Sequence, residues 1–301
     1  MVVWNIFFTT VLLPLVGIAL LGRRRRVPFS GWLATLILAA GMVGFGVLVA
    51  PWGWFGVPLR IAIAILFVVA FARSLRGSRD AAAEKLPPAN ELPPANPFRL
   101  LLMILIGLFF GSVAIGVLRA RARPPGVVDV GFPLTHGTYL VAQGGSHPAA
   151  NYHAHDPKQQ YAVDLIRLNG AGMRARGLYP GDAGAYAIFG DTVVSPCDGV
   201  VVAAIDQYAD AARISLDEKN PAGNYAIVRC GDVDLMLAHL QRGSLAVRAG
   251  ARIARGALLG RAGNSGVSPE PHLEIHGERN GIAVPLTFDR KWLVRNDVVR
   301  K

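Results

Sequence analysis

Pro271-His272-Leu273-Glu274-Ile275-His276 is the stretch that decides how the C-terminal part of this chain is read. Polar and apolar residues alternate with a period of two. A strand therefore carries His272, Glu274 and His276 on one face and Leu273 and Ile275 on the other. Two imidazoles and a carboxylate on one short strand form a donor set that zinc accepts; a solvated polar face is the bland counterpart. Outward from this stretch, 161–165, 192–194, 199–205, 225–229 and 234–239 also read as strands. Asp198-Gly199, Gly231-Asp232 and Gly263-Asn264 read as turns. No helix of convincing length interrupts them before Lys291. An all-β sandwich or half-barrel is expected over 124–301.

Residues 1–123 differ in kind. Four apolar runs, 5–22, 32–52, 55–72 and 98–118, approach the length of about 20 residues that spans a bilayer. An N-terminal membrane bundle of four transmembrane helices is expected. In the third run Pro58 and Arg60 sit near the start, with Arg60 snorkelling to the interface. The first run does not read as a signal peptide, because its arginines follow the apolar stretch. None of the four runs carries Asp, Glu or His, the groups that conduits use, so the bundle reads as an anchor or a partner-binding element. Arg23 to Arg26, and then Arg73, Arg76, Arg79 and Lys85, mark cytoplasmic segments. That puts the C-terminal domain on the extracytoplasmic side of the membrane, although Arg119, Arg121 and Arg123 then flank the fourth run on the outer side. Leu86-Pro87-Pro88-Ala89-Asn90-Glu91 and Leu92-Pro93-Pro94-Ala95-Asn96-Pro97 form a tandem hexapeptide, a semi-rigid spacer on composition.

The net charge of +11 divides unevenly. Residues 1–123 hold thirteen Arg and Lys against three acids, and residues 124–301 hold eighteen against seventeen. The basic excess belongs to the apolar part, so nucleic acid is not an expected partner. The two cysteines, Cys197 and Cys230, form no CxxC; a disulfide and two buried thiols are both open readings. Asp206, Asp210, Asp217 and Glu218 lack the spacing of a calcium loop.

All seven histidines lie beyond residue 123. His136 and His147 sit in loop-like sequence and read as surface or supporting groups. The ordered set Gly199-Val200-Val201, Ala238-His239-Leu240, the Gly250, Gly256 and Gly260 turns, Gly263-Asn264-Ser265-Gly266 and Pro271-His272-Leu273 resembles the lysostaphin/LytM zinc peptidases of bacterial cell walls. The resemblance covers roughly 130–290. Asn151-Tyr152-His153 followed by Gln160-Tyr161-Ala162-Val163-Asp164 resembles a subgroup in which the first zinc histidine lies well before the aspartate.

This resemblance implies a duplicated-hybrid-motif sandwich and one Zn2+ ion. His153 and Asp164 match the first two metal ligands, and Glu274 stands where the family has its third, a histidine. His155 and His276 stand as substitutes. His239 and His272 match the two non-ligand histidines that handle the proton and polarise the carbonyl. The implied activity is hydrolysis of peptide bonds in peptidoglycan stems or cross-bridges, with the wall peptide, the bilayer and a wall-enzyme partner as implied partners. Two carboxylates in the ligand set weaken a cation's pull on bound water, which slows hydrolysis at neutral pH. The second reading is therefore a catalytically silent LytM-like domain that binds the wall or regulates another hydrolase. A lipoyl-type carrier domain lacks its lysine at the required hairpin tip.

Overall fold

The computed structural model describes residues 1–23, 27–80, 96–212 and 214–301. Arg24, Arg25, Arg26, Lys85, the side chains of Arg76 and Arg79, and residues 86–95 of the tandem repeat lie outside the described residues. The chain divides into two compact units. The first comprises Met1–Trp52 and Val57–Gly116, and the second Gly53–Gly56 and Val117–Lys301.

Four apolar helices dominate the N-terminal part: α1 (Val2–Gly22), α2 (Phe29–Leu48), α3 (Val57–Asp80) and α4 (Pro97–Arg119). By length and composition each is a candidate membrane span. Helix α1 is π-helical over Phe8–Leu12. The expected second run to Trp52 is corrected, because α2 ends at Leu48. Its chain then turns, and the Trp52 indole N–H donates back to the Gly46 carbonyl at 2.8 Å. Pro58 falls at the start of α3, where its missing N–H costs nothing. The Arg60 side chain donates to the Val47 carbonyl at 2.8 Å. Helices α2 and α4 meet through glycine. A Cβ on Gly41 would lie 2.1 Å from the Gly107 carbonyl oxygen, so only glycine allows that approach.

The second unit is built on a nine-stranded sheet. Its strands are β1 (Thr138–Gln143), β2 (Val163–Leu168), β3 (Gly199–Ile205), β4 (Asn224–Cys230), β5 (Val233–Leu240), β6 (Arg252–Ile253), β7 (Leu273–Arg279), β8 (Ile282–Val284) and β9 (Val298–Arg300). The spatial order is β9-β1-β2-β7-β5-β4-β3-β6, with β8 paired to β7. All pairings in this sheet are antiparallel. Val141, Val163, Leu165, Val201, Val228, Leu235, Leu237, Leu273 and Ile275 bury one face in the main apolar core. Cys197 and Cys230 form a disulfide, with Cα atoms 6.0 Å apart, which joins the segment before β3 to the end of β4.

The segment after Lys291 is folded into the domain. Leu293, Val294 and Val299 are buried, and β9 pairs with β1. Three apolar residues suffice because β1 otherwise presents an open edge to them.

Candidate metal centre and active site

The central strands place two carboxylates side by side. Asp164 on β2 and Glu274 on β7 are directly opposite residues in an antiparallel pair. Both are buried, at 4% and 6% exposure. Like charges in that position are destabilising, and burial away from water makes them more so. The pair is therefore shaped for a cation.

His153 completes the set. It lies in a 3-10 turn, Tyr152–His155, whose N-cap Asn151 accepts from the His153 backbone N–H at 3.2 Å. The Asn151 amide donates to the carbonyls of Gly145 and Ala162, at 3.1 and 3.0 Å, and so fixes the turn to the sheet. Tyr152 stacks on the His153 ring with centroids 4.0 Å apart. His153 Nε2 sits 3.0 Å from Asp164 Oδ1. One ligand atom from each of His153, Asp164 and Glu274 falls within 4.8 Å of the others. Burial disfavours a charged His153, but the Asp164 carboxylate outweighs it and lifts the imidazole to about 9.

His239 reaches the site through an irregularity. Alternation along β5 puts Leu237 in the core and Ala238 on the site face, which would send His239 back toward the core. The register between β4 and β5 shifts between Asn224 and Ala226, and His239 takes a φ of 60°. This bulge turns the imidazole to the site face. Nδ1–H donates to the Ser265 carbonyl at 2.8 Å, and Nε2 lies 3.2 Å from Glu274 Oε2. Burial opposes a charge on His239, but the bond to Glu274 outweighs it and raises its pKa. Glu274 in turn is held well below the usual carboxylate range. Its bonds to His239 and His276 overcome the desolvation that would protonate it.

His272 is the neutral member. Burial and then the neighbouring His239 lower its pKa. Nδ1–H donates to the Glu270 carbonyl at 2.8 Å, which leaves the lone pair on Nε2. That buried Nε2 has no hydrogen-bond partner among the described residues. The His239 and His272 ring centroids are 4.6 Å apart. Glu270 is itself held by Arg174, Nε to Oε2 at 2.6 Å. The Arg174 guanidinium lies 3.7 Å over the Trp54 ring, and Trp54 stacks on Tyr179.

The structure thus brings His153, Asp164, Glu274, His239 and His272 together. His276 is buried behind Glu274, bonded to it at 3.0 Å and paired with Glu278 at 3.4 Å. His155 is exposed and belongs to neither potential metal cluster among the described residues. Sequence reasoning missed Ser265, Glu270 and Arg295 as supports. Arg295 is half-buried and feels the charge of Asp164, and desolvation lowers its pKa to about 10. Glu270 and Arg295 carry no motif of their own, and Ser265 falls in the Gly263-Asn264-Ser265-Gly266 turn, which announces no contact to His239. Asn151 did carry a signal, since asparagine is a preferred helix cap.

The donor set fits a zinc ion. Nitrogen and carboxylate oxygen are normal zinc donors, the paired buried carboxylates call for a cation, and the buried His272 Nε2 has no hydrogen-bond partner among the described residues.

Residues 184–285 match the model of peptidase family M23. The match takes in His239, His272 and Glu274 and begins after His153 and Asp164. No curated protein matches the chain. Among solved structures, a peptidase M23 from Pseudomonas aeruginosa is 16% identical, with 58% of this chain and 57% of that one covered and a TM-score of 0.32. Lysostaphin is 19% identical over 45% and 40%, with a TM-score of 0.26. A zinc-containing peptidase from Vibrio cholerae is 20% identical over 41% and 48%, also at 0.26. The chain spans about half the length of these solved chains.

Proposed function

We propose, from the premise that this chain carries a peptidase family M23 domain, that it is a membrane-anchored zinc endopeptidase acting on peptide bonds of the bacterial wall. The observation that carries this reading is the facing Asp164–Glu274 pair, with His153 beside it and a ligand atom of His272 within 4.8 Å of one of Glu274. His153, Asp164 and Glu274 would hold the ion. When bound, it would supply Lewis-acid activation of a water.

The chain's own residues then divide the proton work. His272 is neutral with Nε2 unprotonated, so it accepts a proton from the nucleophile and passes it to the leaving amine. The Glu270 carbonyl prevents it from presenting the other tautomer. His239, raised in pKa and fixed by Ser265, donates to the developing oxyanion. The roles thus separate two histidines that the sequence treats alike.

The extracytoplasmic location draws support from the Cys197–Cys230 disulfide, a bond of oxidising compartments. Arg73 after the third span agrees with it.

One observation favours the silent-domain reading. Glu274 already uses one oxygen for His276 and the other for His239. Each carboxylate oxygen has a second lone pair, so a metal is not excluded from either. The test is full-length protein in nanodiscs, assayed for zinc by elemental analysis and for muropeptide cleavage by mass spectrometry. About one zinc per chain, lost in His153→Ala, with cleavage lost in His272→Ala, supports the peptidase. A zinc-free native chain that binds but never cleaves the wall sinks it and leaves the silent domain.

A further inference from the structure

The arginines that follow α4 line an open cleft. It holds about 400 Å³ and is bordered by Arg121, Arg123, Arg290, Lys291, Trp292 and Asp297. None of these belongs to the histidine site. Four cations face one carboxylate, and Arg121 occupies that carboxylate at 2.8 Å. Arg123 reaches only the Arg290 carbonyl, at 3.3 Å. Among the described residues, Arg123, Arg290 and Lys291 have no acidic partner. The cleft therefore carries three uncompensated positive charges over a floor of buried Leu293, Val294 and Val299.

Chain connectivity fixes its depth. Helix α4 ends at Arg119, so Arg121 and Arg123 lie at most about 7 and 14 Å further along the chain. The headgroup region on each side of a bilayer is roughly 5–8 Å thick. The half-buried Trp292 indole donates to the Ala120 carbonyl at 2.9 Å and ties the cleft to the residue that leaves the helix. Tryptophan is the side chain favoured at that depth. Guanidinium forks match phosphate oxygens in pairs, and Lys291 adds a point charge.

We infer that this cleft binds the phosphodiester headgroup of an anionic phospholipid. The inference rests on α4 being a membrane span. It also gives Arg123, on the outer flank of that span against the usual charge rule, a counter-charge outside the cytoplasm.

The test uses the full chain, delipidated in detergent and reconstituted into nanodiscs of phosphatidylcholine with added phosphatidylglycerol. Retained lipid is read by native mass spectrometry. Phosphatidylglycerol should bind saturably and in preference to phosphatidylcholine. Arg290→Gln with Lys291→Gln should weaken it about thirtyfold, at about fivefold per cation removed. Arg123→Gln alone should weaken it about fivefold. An unchanged thermal unfolding transition serves as the check that the variants are folded. Equal retention of the two lipids, or unchanged retention in a folded variant, overturns the inference. So does inorganic phosphate that binds the cleft as tightly as the lipid, which would make it a free-phosphate site. Failure of the spanning premise is seen separately, as loss of the chain from membranes on alkaline carbonate washing.

Discussion

At the scale of single residues, the site is governed by two opposed imidazoles. His153 is held protonated to about 9 by Asp164, above its ordinary 6.5. In the metal-free protein the stabilisation from that pair is fully present below about 6.5 and is lost as pH rises through about 9. A ligand must give up its proton to bind metal. Zinc affinity should therefore rise with pH across this window, by about tenfold per unit, in chelator competition at several pH values. His272, already neutral, should behave otherwise. His272→Ala should keep its zinc and lose about 10²–10⁴-fold in kcat, as measured on a wall-derived peptide. Equal loss of zinc would make it a ligand instead. Asn151→Ala frees the turn that presents His153 and should cost about 10–100-fold in zinc affinity with little change at His272. The sequence made the ligand types legible, because Leu273 and Ile275 alternate with His272 and Glu274. His239 was legible only through the motif Ala238-His239-Leu240, for alternation alone points that side chain into the core, and a bulge turns it back.

At the scale of elements, pairing and close approach do the positioning. Register sets Glu274 against Asp164, and the disulfide pins β4 to the segment before β3. The bridge spans a sequence separation of 33 residues. Replacing both cysteines with serine should cost about 3–4 kcal/mol by loop entropy, visible as a lower Tm of the full chain. An unchanged Tm would mean that the unfolded state does not feel the link. In the helices, Gly107→Leu would force α2 and α4 apart, since a Cβ at Gly107 would already meet the Ile37 carbonyl at 2.6 Å. Thermal unfolding in detergent should shift downward. The strands 192–194 and 199–205 are legible to the residue because turns and apolar runs bracket them. The last strand is not, since 298–300 carries a basic, terminal-looking sequence whose pairing comes from an edge far away in the chain.

At the scale of the whole molecule, the sequence suggests a boundary near residue 123, and contacts draw a different one. Gly53–Gly56, from between α2 and α3, groups with the C-terminal strands. The Arg174 backbone N–H donates to the Gly53 carbonyl at 2.7 Å, and the Arg174 side chain lies over Trp54. A four-residue contribution has no periodicity or motif by which a sequence could announce it. Trp54→Ala in the full chain should lower the Tm of the β-domain and reduce cleavage, with zinc content retained. Arg174, stacked on that tryptophan, pairs with the Glu270 carboxylate, and the Glu270 backbone carbonyl accepts from His272. A fragment cut at residue 124 would thus lack Gly53–Gly56, four residues that pack as part of the C-terminal unit although they lie far upstream in the chain.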